Sequence, residues 1–104
     1  MMALKRAVDV FRLVDAEANL QMVAIFIAVC QRDGITMKEL TTDLEISQSS
    51  LSRNVQALND KPRRGKSGLG LVRTDEDPND WRRKIVILTA RGRQLRAQLS
   101  EAIG

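Results

Sequence analysis

The chain contains no histidine and a single cysteine, Cys30, among its 104 residues. That scarcity removes several kinds of chemistry at once. A structural zinc site needs a set of Cys and His ligands that this sequence does not hold, so neither a metal nor a cofactor is expected. Ser-His and Cys-His nucleophile systems are excluded for the same reason. No disulfide can close within the chain, which is compatible with a reducing compartment. Arg32 is the nearest group able to lower the pKa of Cys30, and the cysteine reads as a small buried hydrophobe rather than a redox sensor. There is no phosphate-binding glycine signature and no convergent carboxylate motif, so the chain does not read as an enzyme. The apolar run around residues 20–30 is too short to span a bilayer and is led by Gln21. It does not follow a basic leader with a clear cleavage site, so it is not a signal peptide. A soluble, cytoplasmic protein with no membrane partner is expected.

The remaining composition, with 43% hydrophobic residues, fits one globular domain, residues 1–104, with a modest core. Net charge is +4, but its distribution is uneven. Residues 1–46 carry 5 basic and 7 acidic groups, whereas residues 47–96 carry 12 basic and 5 acidic groups, a net of +7. A positive field confined to one part of a chain is the footprint of a polyanionic partner; the plainer reading is a basic surface that serves solubility.

Residues 35–60, ITMKELTTDLEISQSSLSRNVQALND, carry two helix starts. Thr36 with Glu39 forms a capping box, and Ile35 with Leu40 occupies the positions of a hydrophobic staple. Ser47 is a second N-cap, with Ile46 and Leu51 at staple positions and Ser50 in place of the acidic partner. Two helices joined by a tight corner make a helix-turn-helix. At about 100° per residue, Leu51, Val55 and Leu58 share one stripe of the second helix and face a core. Ser49, Arg53 and Gln56 fall opposite, flanked by Ser52. Short side chains let a helix approach a groove, and Arg and Gln can bond guanine and adenine bidentately. Gln48, Ser49, Ser52, Arg53 and Gln56 are therefore the candidate major-groove contacts. A solvated, serine-rich helix face is the bland alternative.

The flanking segments read as support. Residues 3–18 predict a helix with the stripe Leu4, Val8, Phe11, Val14 and Ala18, widened by Val10 and Leu13. That apolar surface calls for a cover, either its own domain or the same helix of a second subunit, so residues 1–19 are assigned to dimerisation. Residues 20–32 predict a central, nearly surrounded helix ended by Asp33-Gly34. After the helix-turn-helix, residues 61–70 are a glycine-rich basic loop whose Lys61, Arg63, Arg64 and Lys66 suit a phosphate backbone. Residues 71–74 and 84–88 predict two short strands of a hairpin spanning 71–88, with a turn cluster at Asp77–Asp80. Arg73 lies on the first strand. Arg82 and Arg83 lie near the tip, where one can enter a minor groove while Asp80 holds an arginine in position. Trp81 is expected to pack at the base of this hairpin, with stacking on a nucleic-acid base as the less favoured alternative. Thr89 caps a closing helix, the chief element of residues 89–104, with Leu95, Leu99 and Ala102 or Ile103 as its stripe. Arg91, Arg93 and Arg96 burden its first half with positive charge, which a phosphate or the acids of the hairpin would offset.

The order of these elements, mostly α with a small β-hairpin, is a winged helix-turn-helix flanked by N- and C-terminal helices. SQSSLSRNVQAL, GLVRT and DPNDWRRKIVILTARG together resemble the MarR family of bacterial transcription regulators. The last of these resembles the family's wing signature, an acid and arginine run followed by Leu88-Thr89-x-x-Gly92. Trp81 interrupts the acid–arginine spacing, and the 61–70 loop is longer than usual. The resemblance implies a homodimer joined by terminal helices. It also implies Ser49, Ser52, Arg53 and Gln56 in the major groove and Arg82 or Arg83 in the minor groove. One closing helix stands where the family has longer ones, so a small-molecule effector is not expected. The reading that results is a homodimeric, sequence-specific repressor of double-stranded DNA acting by promoter occlusion at a pseudo-palindromic operator. The competing class is a winged helix that binds another regulator or polymerase without reading DNA.

Overall fold

The computed structural model describes residues 2–14, 19–59 and 68–103. Along these the chain forms α1 (Met2–Val14), α2 (Leu20–Gln31), β1 (Ile35–Thr36), α3 (Met37–Leu44), α4 (Gln48–Leu58), β2 (Val72–Asp77), β3 (Asp80–Leu88) and α5 (Ala90–Ile103). The three strands make one antiparallel sheet in the order β1-β3-β2. No described helix is long and apolar enough to cross a membrane.

Local chemistry starts the helices, and the caps at Thr36, Ser47 and Thr89 are those the sequence predicts. Asn19 Oδ1 accepts from the Met22 N–H and opens α2. The capping box at α3 is complete: Thr36 Oγ1 accepts from the Glu39 N–H at 3.0 Å, and Glu39 Oε1 accepts from the Thr36 N–H at 3.3 Å. Those bonds, joined by the charges of Arg32 and Arg83, hold the Glu39 carboxyl below its usual range. The corner between α3 and α4 turns on Glu45, which is left-handed at φ 54°, and the Ile46 N–H returns to the Thr41 carbonyl. Thr89 Oγ1 caps α5 by accepting from the Gly92 N–H and donates to the Gly70 carbonyl.

The core gathers one face from almost every element. Phe11 of α1 meets Phe26 of α2 edge to face at 5.4 Å between centroids. Val23, Ile25, Val29, Leu40, Leu51, Leu58, Val72 and Val86 are buried around them, and Leu95 and Leu99 close the core from α5. Cys30 packs at its margin, and burial pushes the thiol up to about 11, which makes it unreactive near neutrality. Leu13, placed by the sequence on the apolar side of α1, is instead 88% exposed. Residues 15–18 of the expected first helix and the basic loop residues Lys61, Arg63, Arg64 and Lys66 lie outside the described residues.

Three expectations are corrected. The hairpin strands are longer than 71–74 and 84–88, because a turn at Pro78-Asn79 lets the charged residues on either side pair. A local reading takes such residues for loop, but cross-strand hydrogen bonding needs only backbone. Residues Ile35–Thr36 form an extra strand on the other edge of β3, with Ile35 opposite Val86 and Thr36 opposite Ile85. Trp81 does not pack at the hairpin base. It stands at the tip and is 74% exposed.

Gly92 is required by close approach rather than by backbone angle. A Cβ there would overlap the Leu71 carbonyl oxygen and press on a Leu88 methyl. Gly92→Ala is expected to destabilise the fold by about 1–3 kcal/mol, the range for overpacking a filled site. Urea denaturation measures this directly, and an unchanged midpoint would show that α5 does not seat this closely on Leu71.

Candidate nucleic-acid interface

The site is built on α4. Leu51, Val55 and Leu58 are buried on one side of the helix, so Gln48, Ser49, Ser52, Arg53 and Gln56 are presented to solvent on the other. Ser47 Oγ accepts from the Ser50 N–H at 3.1 Å and lies 3.3 Å from Ser49 Oγ, fixing the first turn. Asn54 Nδ2 donates to Gln21 Oε1 at 2.8 Å and to the Ser50 carbonyl at 2.9 Å, tying the flank of α4 to the start of α2. The far end is tied by returning chain. Leu69 N–H donates to the Ala57 carbonyl and Leu71 N–H to the Leu58 carbonyl, satisfying acceptors that a helix C-terminus leaves open.

The hairpin of β2 and β3 is the wing. Asp77 Oδ1 accepts from the Asn79 N–H within the turn. Asp80 Oδ1 accepts from both the backbone N–H and Nε of Arg82, each at 3.1 Å, while its Oδ2 lies 3.4 Å from Arg82 Nη2 and 3.6 Å from Arg83 Nε. Asp80 therefore holds the arginines, as the sequence suggests. The hydrogen bonds from Arg82, and then the charge of Arg83, keep its carboxyl below the usual value of 3.8.

Between α4, the wing and the start of α3 runs an open groove of about 890 Å³. Gln48, Ser52 and Gln56 line it from α4, Arg82 and Arg83 from the wing. Two further cations, Lys38 of α3 and Lys84 of β3, line it as well, and no acid does among the described residues. The sequence reading missed both lysines. Lys84 opens its predicted second strand and Lys38 sits in the first turn of the first helix of the motif, and nothing local signals that the fold brings them to one groove. Ser49 and Arg53 are exposed on α4 but do not line the groove. Arg73 is exposed opposite Ile87, toward the base of the wing, and is likewise not a lining residue. The shape and charge suit a polyanion whose edges can be read by short polar side chains.

The anchoring of the wing arginines depends on pH with a definite sign. A carboxyl whose pKa is depressed by folding contributes above its unfolded pKa and loses that contribution as pH falls through the folded one. The Arg82 Nε–H resonance should therefore stay constant down through the ordinary aspartate range and move only below 3.8. A titration midpoint at or above that value would mean that Asp80 does not hold Arg82 in solution.

No family model and no curated protein sequence matches the chain. Solved structures do. The PcaV transcriptional regulator from Streptomyces coelicolor, in complex with its natural ligand, aligns with TM-score 0.66 and 22% identity over 84% of this chain and 56% of its own. A MarR transcriptional regulator from Methanosarcina mazei Go1 aligns with TM-score 0.69 and 21% identity over 97% and 63%. The S. aureus MepR–DNA complex aligns with TM-score 0.75 and 17% identity over 94% and 73%. The chain thus spans little more than half of PcaV and under two thirds of the M. mazei protein. At these identities the likeness is one of fold, and the chain has the winged helix-turn-helix fold of these regulators.

Proposed function

We propose that this winged helix binds double-stranded DNA sequence-specifically and regulates transcription as a homodimer, repressing by occlusion of promoter DNA. The observation that carries the reading is the groove, where the polar face of α4 and the arginines of the wing meet with four cations and no described acid. MepR, of the same fold, was solved with DNA bound. In this reading α4 enters the major groove. Arg53 and Gln56 read base edges, Gln48, Ser49 and Ser52 allow close approach, and one of Arg82 and Arg83 enters the minor groove. Lys61, Arg63, Arg64, Lys66 and Arg73 supply phosphate contacts that add affinity without sequence information. Leu13 and Leu20, exposed at the junction of α1 and α2, are apolar surface that a second copy can cover. Two copies would present their α4 helices to a pseudo-palindrome with half-site centres about 10 base pairs apart.

Selection from a random duplex library, followed by a salt titration of the winner against a scrambled duplex, tests the reading. The expected result is an enriched inverted repeat bound far more tightly than the scramble. Equal and steeply salt-dependent binding to both would reduce the role to nonspecific coating, and absence of binding at low salt would reject DNA as the partner. On the selected site Arg53→Ala is expected to lose about 1–3 kcal/mol of discrimination at one base position. An unchanged sequence preference would mean that the reading face is misassigned.

A further inference from the structure

Trp81 is the only tryptophan of the chain and is 74% exposed at the far end of the wing. Tryptophan is highly buried on average, and the core of this domain lies at the other end of the same strand, at Val86 and Leu88. Val86 and Trp81 are separated by roughly 17 Å of extended chain. The backbone on either side of Trp81 is fixed by its neighbours. Its neighbour Asp80 faces Asp77 across the turn and is bonded to Arg82, which follows Trp81 in sequence. The register shifts between Glu76 and Asp77, so Trp81, Arg82 and Arg83 lie between the pairs Asp77–Asp80 and Glu76–Lys84 rather than in the regular ladder. The tip therefore carries an exposed indole next in sequence to two exposed arginines. Of the nearby acids, Asp75 Oδ1 accepts from the Glu76 N–H and Asp77 Oδ1 from the Asn79 N–H, and Glu76 stands opposite Lys84 in the ladder.

We infer that Trp81 is a DNA contact of the wing, with its indole packed against the deoxyribose wall of the minor groove that receives the wing arginine. This rests on the proposed DNA-binding function and extends it to a residue that the groove does not include. The chemistry suits both partners. Sugar edges in the minor groove offer apolar C–H surface, the phosphates above them attract Arg82 and Arg83, and a wing inserted tip-first brings the indole and the arginines to the groove together. Apolar side chains beside basic ones are a recurring means of engaging the minor groove. The contact reads groove width rather than base identity, so it contributes affinity at any sequence that admits the wing.

The lone indole makes its own environment measurable in the unaltered protein. Binding is followed by anisotropy of a fluorescently labelled duplex of the selected sequence, and Trp81 by intrinsic emission and acrylamide quenching in the same titration. At saturation the emission is expected to shift and the indole to become several-fold less accessible to acrylamide. Trp81→Ala is expected to keep the thermal midpoint of the parent, since the side chain is exposed, and to weaken duplex binding by about tenfold, the loss of one aromatic contact. Trp81→Phe should recover part of that loss. If anisotropy reports saturation while the indole stays as quenchable as in the free protein, the inference is overturned and the DNA reading stands. If anisotropy reports no binding to any duplex, the reading and the inference fall together.

Discussion

The burial of Leu51, Val55 and Leu58 sets the rotation of α4 about its own axis, and the rest of the interface depends on that rotation. Three apolar side chains on one stripe leave a single orientation in which the helix meets the core without exposing them. The polar residues that remain then face outward. Further constraints keep the helix from sliding or tilting. Asn54 bonds the start of α2 on one flank, and the chain returning through Leu69 and Leu71 bonds the last carbonyls of α4. The side chains that contact solvent contribute little to this arrangement, so they are free to vary with a target without disturbing the fold.

The wing is held by a different kind of force. It has little core of its own beyond Val72, Val86 and Leu88, and its outer half is charged. Backbone pairing on β2 and the carboxylates of Asp77 and Asp80 give it shape. Exposed ion pairs contribute little to stability, so the value of the Asp80 pair lies in fixing where two guanidinium groups point. Glu39 shows the same economy: one carboxylate completes the cap of α3, pairs with Arg32 and faces the charge of Arg83.

How much of this was legible in the residues differs by element. The capping box of Thr36 and Glu39, the cap at Ser47 and the stripe of α4 span three to seven positions, and each was readable as chemistry between near neighbours. The wing was readable as a hairpin but not at its true length, because Asp75, Glu76 and Asp80 look like loop until their backbones pair. β1 is two residues long and exists only because β3 offers an edge. The bond between Asn54 and Gln21 spans 33 residues, and that between the Leu88 N–H and Asp33 Oδ1 spans 55, so neither has a local signature. Lys38 and Lys84 joined the candidate site for the same reason: convergence in space leaves no spacing to detect.

The sequence by itself determined the starts of α3, α4 and α5, the inward and outward faces of α4 and the concentration of positive charge beyond residue 47. These follow from periodicity and from capping bonds between residues three apart, which are properties of a short peptide. Only the tertiary structure decided which outward residues share a groove and that Trp81 stands exposed at the tip instead of joining the core. Those outcomes depend on the register of β2 and β3 and on where the sheet meets α3 and α4. Both are set by packing between distant segments, in which burial of the shared core outweighs any local preference.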